Sequence, residues 1–285
     1  MRKTTLWLCL ICLGILAASA GAAEKQELLD SAAQAYSLGE YRKCADQYDA
    51  AISQGVQSPG ILYNAACCCA LSESIDQAFL YLNKAVEFGY HNTQWLQKDT
   101  DFQSLRDDNR WSGLIARCDS ANEIYLQSIN RELYQMFQED QGDRLTGGAE
   151  LDWSRIRERD AQHRARVKQM LDSGQVVAAD DYYHAAMIFQ HGDDTASYLL
   201  ARKLALTAAE LDSTNTTARW LAAASKDRYL WHIGKPQWYG TQLHMIDGKW
   251  TIDPIDTTAV TDEDRSDWQV PSLAEARRRA AQMNK

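Results

Sequence analysis

From residue 25 to residue 92, apolar and small positions recur with a period of 34. Cys44 and Ala78 are 34 apart, as are Ala51 and Ala85, Tyr48 and Leu82, and Tyr41 and Ile75. In each unit the small residue and the alanine stand seven apart, with a large apolar residue between them. That spacing lies on one face of an α-helix. Small side chains there let two antiparallel helices approach closely. The pattern predicts two helical hairpins, with Gly39 ending the first helix of unit one and Glu73 in the equivalent place in unit two. Leu96, Phe102, Leu105 and Trp111 follow and predict a segment that covers the apolar end of the stack, since a repeat cannot bury its own face.

This pattern resembles the tetratricopeptide repeat. The matching residues are Leu28, Ala32, Tyr36, Gly39, Tyr41, Cys44, Tyr48 and Ala51, then Leu62, Tyr63, Asn64, Ala66, Ala78, Leu82 and Ala85. Both units carry alanine where the family has glycine at the first-helix packing position, and both lack the proline that ends a repeat. The resemblance implies a small concave surface for a protein or peptide, or a support for the rest of the chain.

From about Asn122 the 34-residue period stops. Tyr125, Ile129, Leu133 and Phe137 fall at four-residue steps and predict one helix over Glu123–Gln138, followed by a polar connection over Gln141–Glu150. Further helices are predicted over Asp152–Leu171, Val177–Gln190, Ala196–Leu211 and Thr217–Ile233, the last capped by Thr216 and ended by Gly234 and Pro236. Asp247-Gly248 between Thr241–Ile246 and Lys249–Asp253 is a two-residue hairpin signal. Pairing across it puts Leu243, Met245, Trp250 and Ile252 on one face, expected to cover the helices, and Gln242, His244, Thr251 and Asp253 on the other. Ser272 and Glu275 form a capping box that opens a short last helix.

Residues 122–285 resemble a family of bacterial domains whose function is not established. The resemblance rests on Asp140-Gln141 with Arg144, on Gln190-His191, on Asp227-Arg228, and on Gly234…Pro236-Gln237-Trp238-Tyr239-Gly240-Thr241-Gln242. It supplies positions and no chemistry.

Composition narrows the class of protein. Four prolines in 285 residues agree with a mainly helical chain. Arg2 and Lys3, the apolar run Leu6–Ala18 and the small residues up to Ala23 predict a secretory signal over residues 1–23, hence an exported, periplasmic protein of a bacterium. The run is too short to span a bilayer comfortably, so no stable membrane insertion is expected after cleavage. Cleavage would move the formal charge from −9 to −11, because residues 1–23 carry two basic and no acidic side chains. That balance excludes nucleic acid as an expected partner. Cys44, Cys67, Cys68, Cys69 and Cys118 remain, an odd number that argues against a complete disulfide framework but leaves room for one bridge in an oxidising compartment, and the adjacent trio 67–69 suits small packing residues.

The candidate chemistry gathers at two predicted helix ends. Trp220, Ala224, Asp227 and Trp231 share one helix face, which puts a carboxylate on an apolar stripe. A bare charge there is costly, so Asp227 needs a partner such as Arg228, another base or a hydroxyl. It is either a structural clamp on the hairpin or a functional carboxylate tuned by burial. His191 stands at a helix C-terminus, where it serves as acid or base or as a cap. Gln190, Arg228, Gln237, Tyr239 and Gln242 suit a polar ligand, or a fixed hydrogen-bond network. His191-Gly192-Asp193-Asp194 does not space ligands for a metal, and no phosphate-loop, dinucleotide-fold or nucleophile-elbow motif occurs.

The expected architecture is mainly α. A signal at 1–23 precedes two tetratricopeptide-like hairpins and a cap at 24–118, then a helical domain at 122–285 with a β-hairpin and a short C-terminal helix. The expected role is an exported interaction protein that binds a protein or peptide in its repeat groove, with a polar ligand site in the second domain and no cofactor or metal. The alternative is an envelope hydrolase or transferase acting on peptide or cell-wall material through His191 and Asp227.

Overall fold

The computed structural model describes residues 21, 24–145 and 152–284. The predicted signal, apart from Gly21, and the end of the 141–150 connection lie outside the described residues. The chain divides into two compact units, residues 1–125 and 126–285.

The first unit begins with α1 (24–37). It continues through α2 (Tyr41–Ser53), α3 (Pro59–Leu71), α4 (Ile75–Glu87), α5 (Thr93–Lys98), a 3-10 turn (Thr100–Leu105) and the start of α6 (Arg110–Ser128). Helix α3 lies against both α2 and α4. The small residues of the 34-residue pattern form the contacts: Ala32, Cys44, Ala51, Ala66, Ala78 and Ala85 have no exposed surface. Both repeat turns have a left-handed residue at the helix end, Gly39 at φ +73° and Glu73 at φ +62°. The following amides bond back in the same way, Glu40 N–H to the Ala35 carbonyl and Ser74 N–H to that of Cys69. Glycine adopts this backbone freely and glutamate does not. Leu96, Phe102, Leu105 and Leu114 are fully buried over the end of the stack, with Phe102 edge-on to Tyr63 at 5.2 Å. A disulfide joins Cys44 of α2 to Cys68 of α3, with Cα atoms 5.7 Å apart. Cys67, Cys69 and Cys118 are buried free thiols. Packing alone therefore describes these three and not the bridged pair.

The second unit holds α7 (Arg131–Leu145), α8 (Trp153–Asp172), α9 (Ala179–Gln190), α10 (Thr195–Leu211), α11 (Thr216–His232), β1 (His244–Ile246), β2 (Lys249–Thr251), α12 (Asp262–Asp267) and α13 (Leu273–Gln282). Helix α10 packs on α9 and α11, and α7 packs on α8 and α9. Leu133, Val167, Met170, Ile188, Leu204 and Leu221 lie in the shared core.

Three local readings change. The single helix expected over Glu123–Gln138 breaks at Asn130, whose side chain accepts from Leu133 N–H at 3.1 Å while its own N–H donates to Asp181 at 2.7 Å. That cap starts α7, which runs on to Leu145, into the first half of the expected connection. Asn215, not Thr216, caps α11, accepting from Ala218 N–H at 2.9 Å. The hairpin turns at Asp247 and Gly248, both with positive φ, in the register His244 with Thr251 and Met245 with Trp250. Its expected apolar face covers the helices only in part: Leu243 is exposed and Met245 is 59% exposed. Ile252 alone of the four is fully covered, packing with Ala276 and Ala280 of α13. On the opposite face His244 stacks on Trp231 of α11, ring centroids 3.3 Å apart. The hydrogen bonds at the hairpin root, described next, outweigh the apolar face in setting this orientation.

Candidate functional site

The end of α11 fastens the chain that follows it. Asp227 is 0% exposed. Its Oδ1 accepts from Trp238 N–H at 2.8 Å and Tyr239 N–H at 3.0 Å. Its Oδ2 accepts from the N–H and the hydroxyl of Thr241, both at 2.9 Å. The carbonyls of the same segment are taken by Arg265 of α12, whose Nη2 donates to Trp238 O at 2.9 Å and whose Nε donates to Tyr239 O at 3.2 Å. Gln237, also 0% exposed, donates through Nε2 to Gln242 O at 2.8 Å and Ile252 O at 2.7 Å, and accepts from Gln242 N–H at 2.8 Å. One side chain here replaces a missing strand partner. Gly240 has φ +81°, and a Cβ on it would sit 2.9 Å from Ile255 Cδ1. Tyr239 is buried against Ala223 and Val270. Asp227, Gln237 and Tyr239 thus form a closed clasp, with every Asp227 oxygen already bonded to a donor.

A second group remains open. His191, the residue just after α9, places Nδ1 2.8 Å from Oδ2 of Asp140 on α7. Asp140 is buried and also accepts from Gln141 Nε2 at 2.8 Å and Arg144 Nη1 at 2.9 Å. Arg144 in turn donates to Asp160 of α8 at 2.7 Å. The carboxylate that meets His191 is therefore Asp140 and not Asp227. The His191 side chain is 16% exposed, and its Nε2 has no bonding partner among the described residues. A buried carboxylate on one nitrogen and an open second nitrogen is the arrangement that lets imidazole accept or deliver a proton.

Arg228 lies beside this pair. Its Nη1 donates to Gln190 O at 2.7 Å and its Nε to Gln242 Oε1 at 2.9 Å. It makes no ion pair among the described residues. Burial, and then the like charge of Arg144, holds its guanidinium below the usual arginine range, with Tyr198 acting the other way. Gln190 is buried with Oε1 unpartnered among the described residues, as are Asp160 Oδ1 and His163 Nδ1. Gln242 joins both groups, since its Oε1 accepts from Arg228 while its backbone N–H donates to Gln237 Oε1 at 2.8 Å.

The seven residues singled out in the sequence thus separate. Asp227, Gln237 and Tyr239 hold the fold, Gln190, His191 and Arg228 flank an open polar edge, and Gln242 connects the two. Asp160 and His163 were hidden in the charged pattern of α8, and Arg265 in a short acidic helix that gives no periodic signal. Three possible cation ligands lie close together at one place among the described residues, Cys67, Asp99 and Asp101 of the first unit. No described helix is long and apolar enough to cross a membrane.

No curated protein matches the chain. Residues 130–282 match the model of a family of unknown function, DUF6624. The match begins at the Asn130 cap and ends at the last turn of α13, so both the clasp and the open pair fall inside it. With more than half of its length matched, the chain belongs to this family of unknown function.

Proposed function

We propose that the second unit binds a polar ligand with anionic or carbonyl character at the edge formed by Gln190, His191 and Arg228. The observation that carries this reading is the Asp140–His191 pair, its second nitrogen open, next to a guanidinium; among the described residues neither that nitrogen nor the guanidinium meets a carboxylate. An incoming carboxylate, phosphate or amide would meet an unneutralised cation and an orphaned amide oxygen there. The helical hairpins of the first unit, read as tetratricopeptide-type repeats, would hold a protein or peptide. Residues 1–23, read as a secretory signal, would take the protein out of the cytoplasm, and the Cys44–Cys68 bridge suits an oxidising compartment.

A second reading, a hydrolase or transferase acting on peptide or cell-wall material, is favoured by the same pair. His191 Nε2 would take a proton from water or a substrate hydroxyl while Asp140 holds Nδ1 and its orientation. Asp227 has no place in that chemistry, because its four acceptor positions are filled.

The test is a thermal-shift screen of the mature protein against small carboxylates, phosphate esters and amides. His191→Ala and Arg228→Gln should abolish the stabilisation by any hit, while Glu210→Ala, at an exposed position near the opposite end of α10, retains it. Hits that stabilise both of those variants as well as the parent would sink the proposed site. A screen without hits, on a protein that also retains no small molecule in native mass spectrometry, would do the same.

A further inference from the structure

The first unit carries a half-open cavity of ≈ 610 Å³ lined by α1, α2, α3 and the 95–101 segment. Its walls include Tyr36, Tyr48, Tyr63 and Trp95, and Trp95 is 56% exposed although Leu96, Phe102 and Leu105 of the cap are fully buried. Two carboxylates lie between these rings. Tyr63 donates its hydroxyl to Asp99 at 2.6 Å, and Tyr36 donates its hydroxyl to Asp101 at 2.7 Å. Neither carboxylate has a basic partner among the described residues. Arg106 approaches but donates to the Asp99 main-chain carbonyl at 2.9 Å, and Lys98 stands on the rim, exposed and without an ion pair among the described residues. The neighbouring weak acids feel the negative field. Tyr36 is held above the usual phenol range first by its bond to Asp101. Tyr63 is held there by burial and then by its bond to Asp99. Burial, then Asp99 and Asp101, raises the Cys67 thiol. Hydroxyls fill some of the acceptor positions and cancel none of the charge.

We propose that this cavity receives an arginine side chain of a partner peptide, with its guanidinium stacked on the aromatic walls and bonded to Asp99 and Asp101. The assignment rests on the reading of the first unit as a peptide groove. Arginine fits better than lysine because its planar fork can serve two carboxylates while a face lies on a ring. Asn64, exposed on the α3 wall, offers its amide to the peptide backbone. A divalent cation is the competing occupant, since Cys67, Asp99 and Asp101 have ligand atoms within 4.8 Å of one another. It would have to displace both tyrosine hydroxyls and ionise a thiol that burial keeps protonated.

The test titrates the full mature chain, labelled with nitrogen-15, with acetyl-arginine amide, with its neutral isostere acetyl-citrulline amide, and separately with zinc chloride. The signals followed are the Trp95 indole and the Asn64 side-chain amide. Arginine amide should shift both saturably, and citrulline amide should bind at least about tenfold more weakly, the factor expected for charge-assisted bonds. Asp99→Asn with Asp101→Asn should weaken arginine binding by roughly the same factor. If that double variant does not fold, Trp95→Ala, read on Asn64, should also weaken it, because it removes a wall and no hydrogen bond of the floor. Equal binding of the two amides, unchanged affinity in a folded variant, or zinc occupying these residues and excluding arginine would overturn the proposal. If a partner protein still binds the repeats while arginine amide does not, the groove reading survives and only the arginine assignment falls.

Discussion

Replacing Asp227 by alanine distinguishes a clasp from a catalytic carboxylate, because the first role predicts a large loss of stability and the second almost none. The carboxylate accepts four hydrogen bonds, three of them from backbone N–H groups. The Thr241 hydroxyl can rotate and still accept from Gln242 Nε2, which lies 3.1 Å away. The three amides cannot rotate. Tyr239 is buried, whereas Trp238 and Thr241 are half-buried and within reach of water. One full and two partial desolvation penalties amount to about 3–5 kcal/mol. In a unit of this size that corresponds to a fall in Tm on the order of 10 °C. Asp227→Asn keeps the shape but points an amide N–H₂ at donors, so it should cost about 2 kcal/mol. Thermal unfolding followed by circular dichroism measures the loss, read on the transition of the second unit. Hydrogen exchange at the amides of Trp238, Tyr239 and Thr241 measures the clasp directly. If Asp227→Ala melts within about 2 °C of the parent, well inside the predicted shift, and those three amides keep their protection, the clasp argument is refuted.

Three further outcomes follow from the geometry. Replacing both Cys44 and Cys68 by serine should cost about 3.5 kcal/mol, the chain-entropy value for closing a loop with a sequence separation of 24, with urea unfolding of the first unit as the measurement and an unchanged second unit as the control. Glu73→Gly should stabilise the first unit by about 0.5–1 kcal/mol, because Glu73 holds φ +62° at a turn where its counterpart is already glycine, and an unchanged or lowered midpoint in urea would contradict this. His244 is held below its usual value of 6.5 by burial and then by Arg228, so the folded state binds the proton less readily than the unfolded one. Its stability contribution is therefore present above about pH 6.5 and lost as pH falls through the lower folded value. His244→Phe, which keeps the stack on Trp231, should flatten the acid limb of stability against pH, and superimposable limbs for parent and variant would disprove the assignment.

Much of the helical framework was legible because its signals are local. Ala32, Cys44, Ala51, Ala78 and Ala85 reveal two stacked hairpins through their period, and Asp247-Gly248 reveals the hairpin turn through its backbone demand. What escaped was decided by partners distant in sequence or carried on the backbone. Asp227 was recognisable as a carboxylate in need of a partner, yet three of its four donors are main-chain amides, which leave no mark in residue identity. Asp140 and His191 stand 51 residues apart, and nothing periodic links the end of α7 to the end of α9. The hairpin orientation was misread for a related reason. Alternation assigns faces to Leu243 and Met245, but Gln237 and Gln242 fix the root by hydrogen bonds, and the apolar face follows them outward.

The clasp and the open pair are coupled through consecutive residues of one helix. Asp227 and Arg228 point about 100° apart around α11. The first therefore faces the 238–241 segment, while the second reaches Gln242 at the hairpin root and Gln190 at the end of α9. Arg228 is the tie between the rigid joint and the residue next to His191. A substitution in the clasp would thus disturb His191 without touching anything bound there, and loss of ligand binding in an Asp227 variant is not evidence of contact. Arg228→Lys separates the two effects. Lysine keeps the positive charge but lacks the fork that serves Gln190 and Gln242 together. If charge alone attracts the ligand, this variant retains binding and loses some stability. If Arg228 also positions His191, binding falls while the amides of Trp238, Tyr239 and Thr241 remain protected, and that combination would locate the function in the placement of the pair at the end of α9.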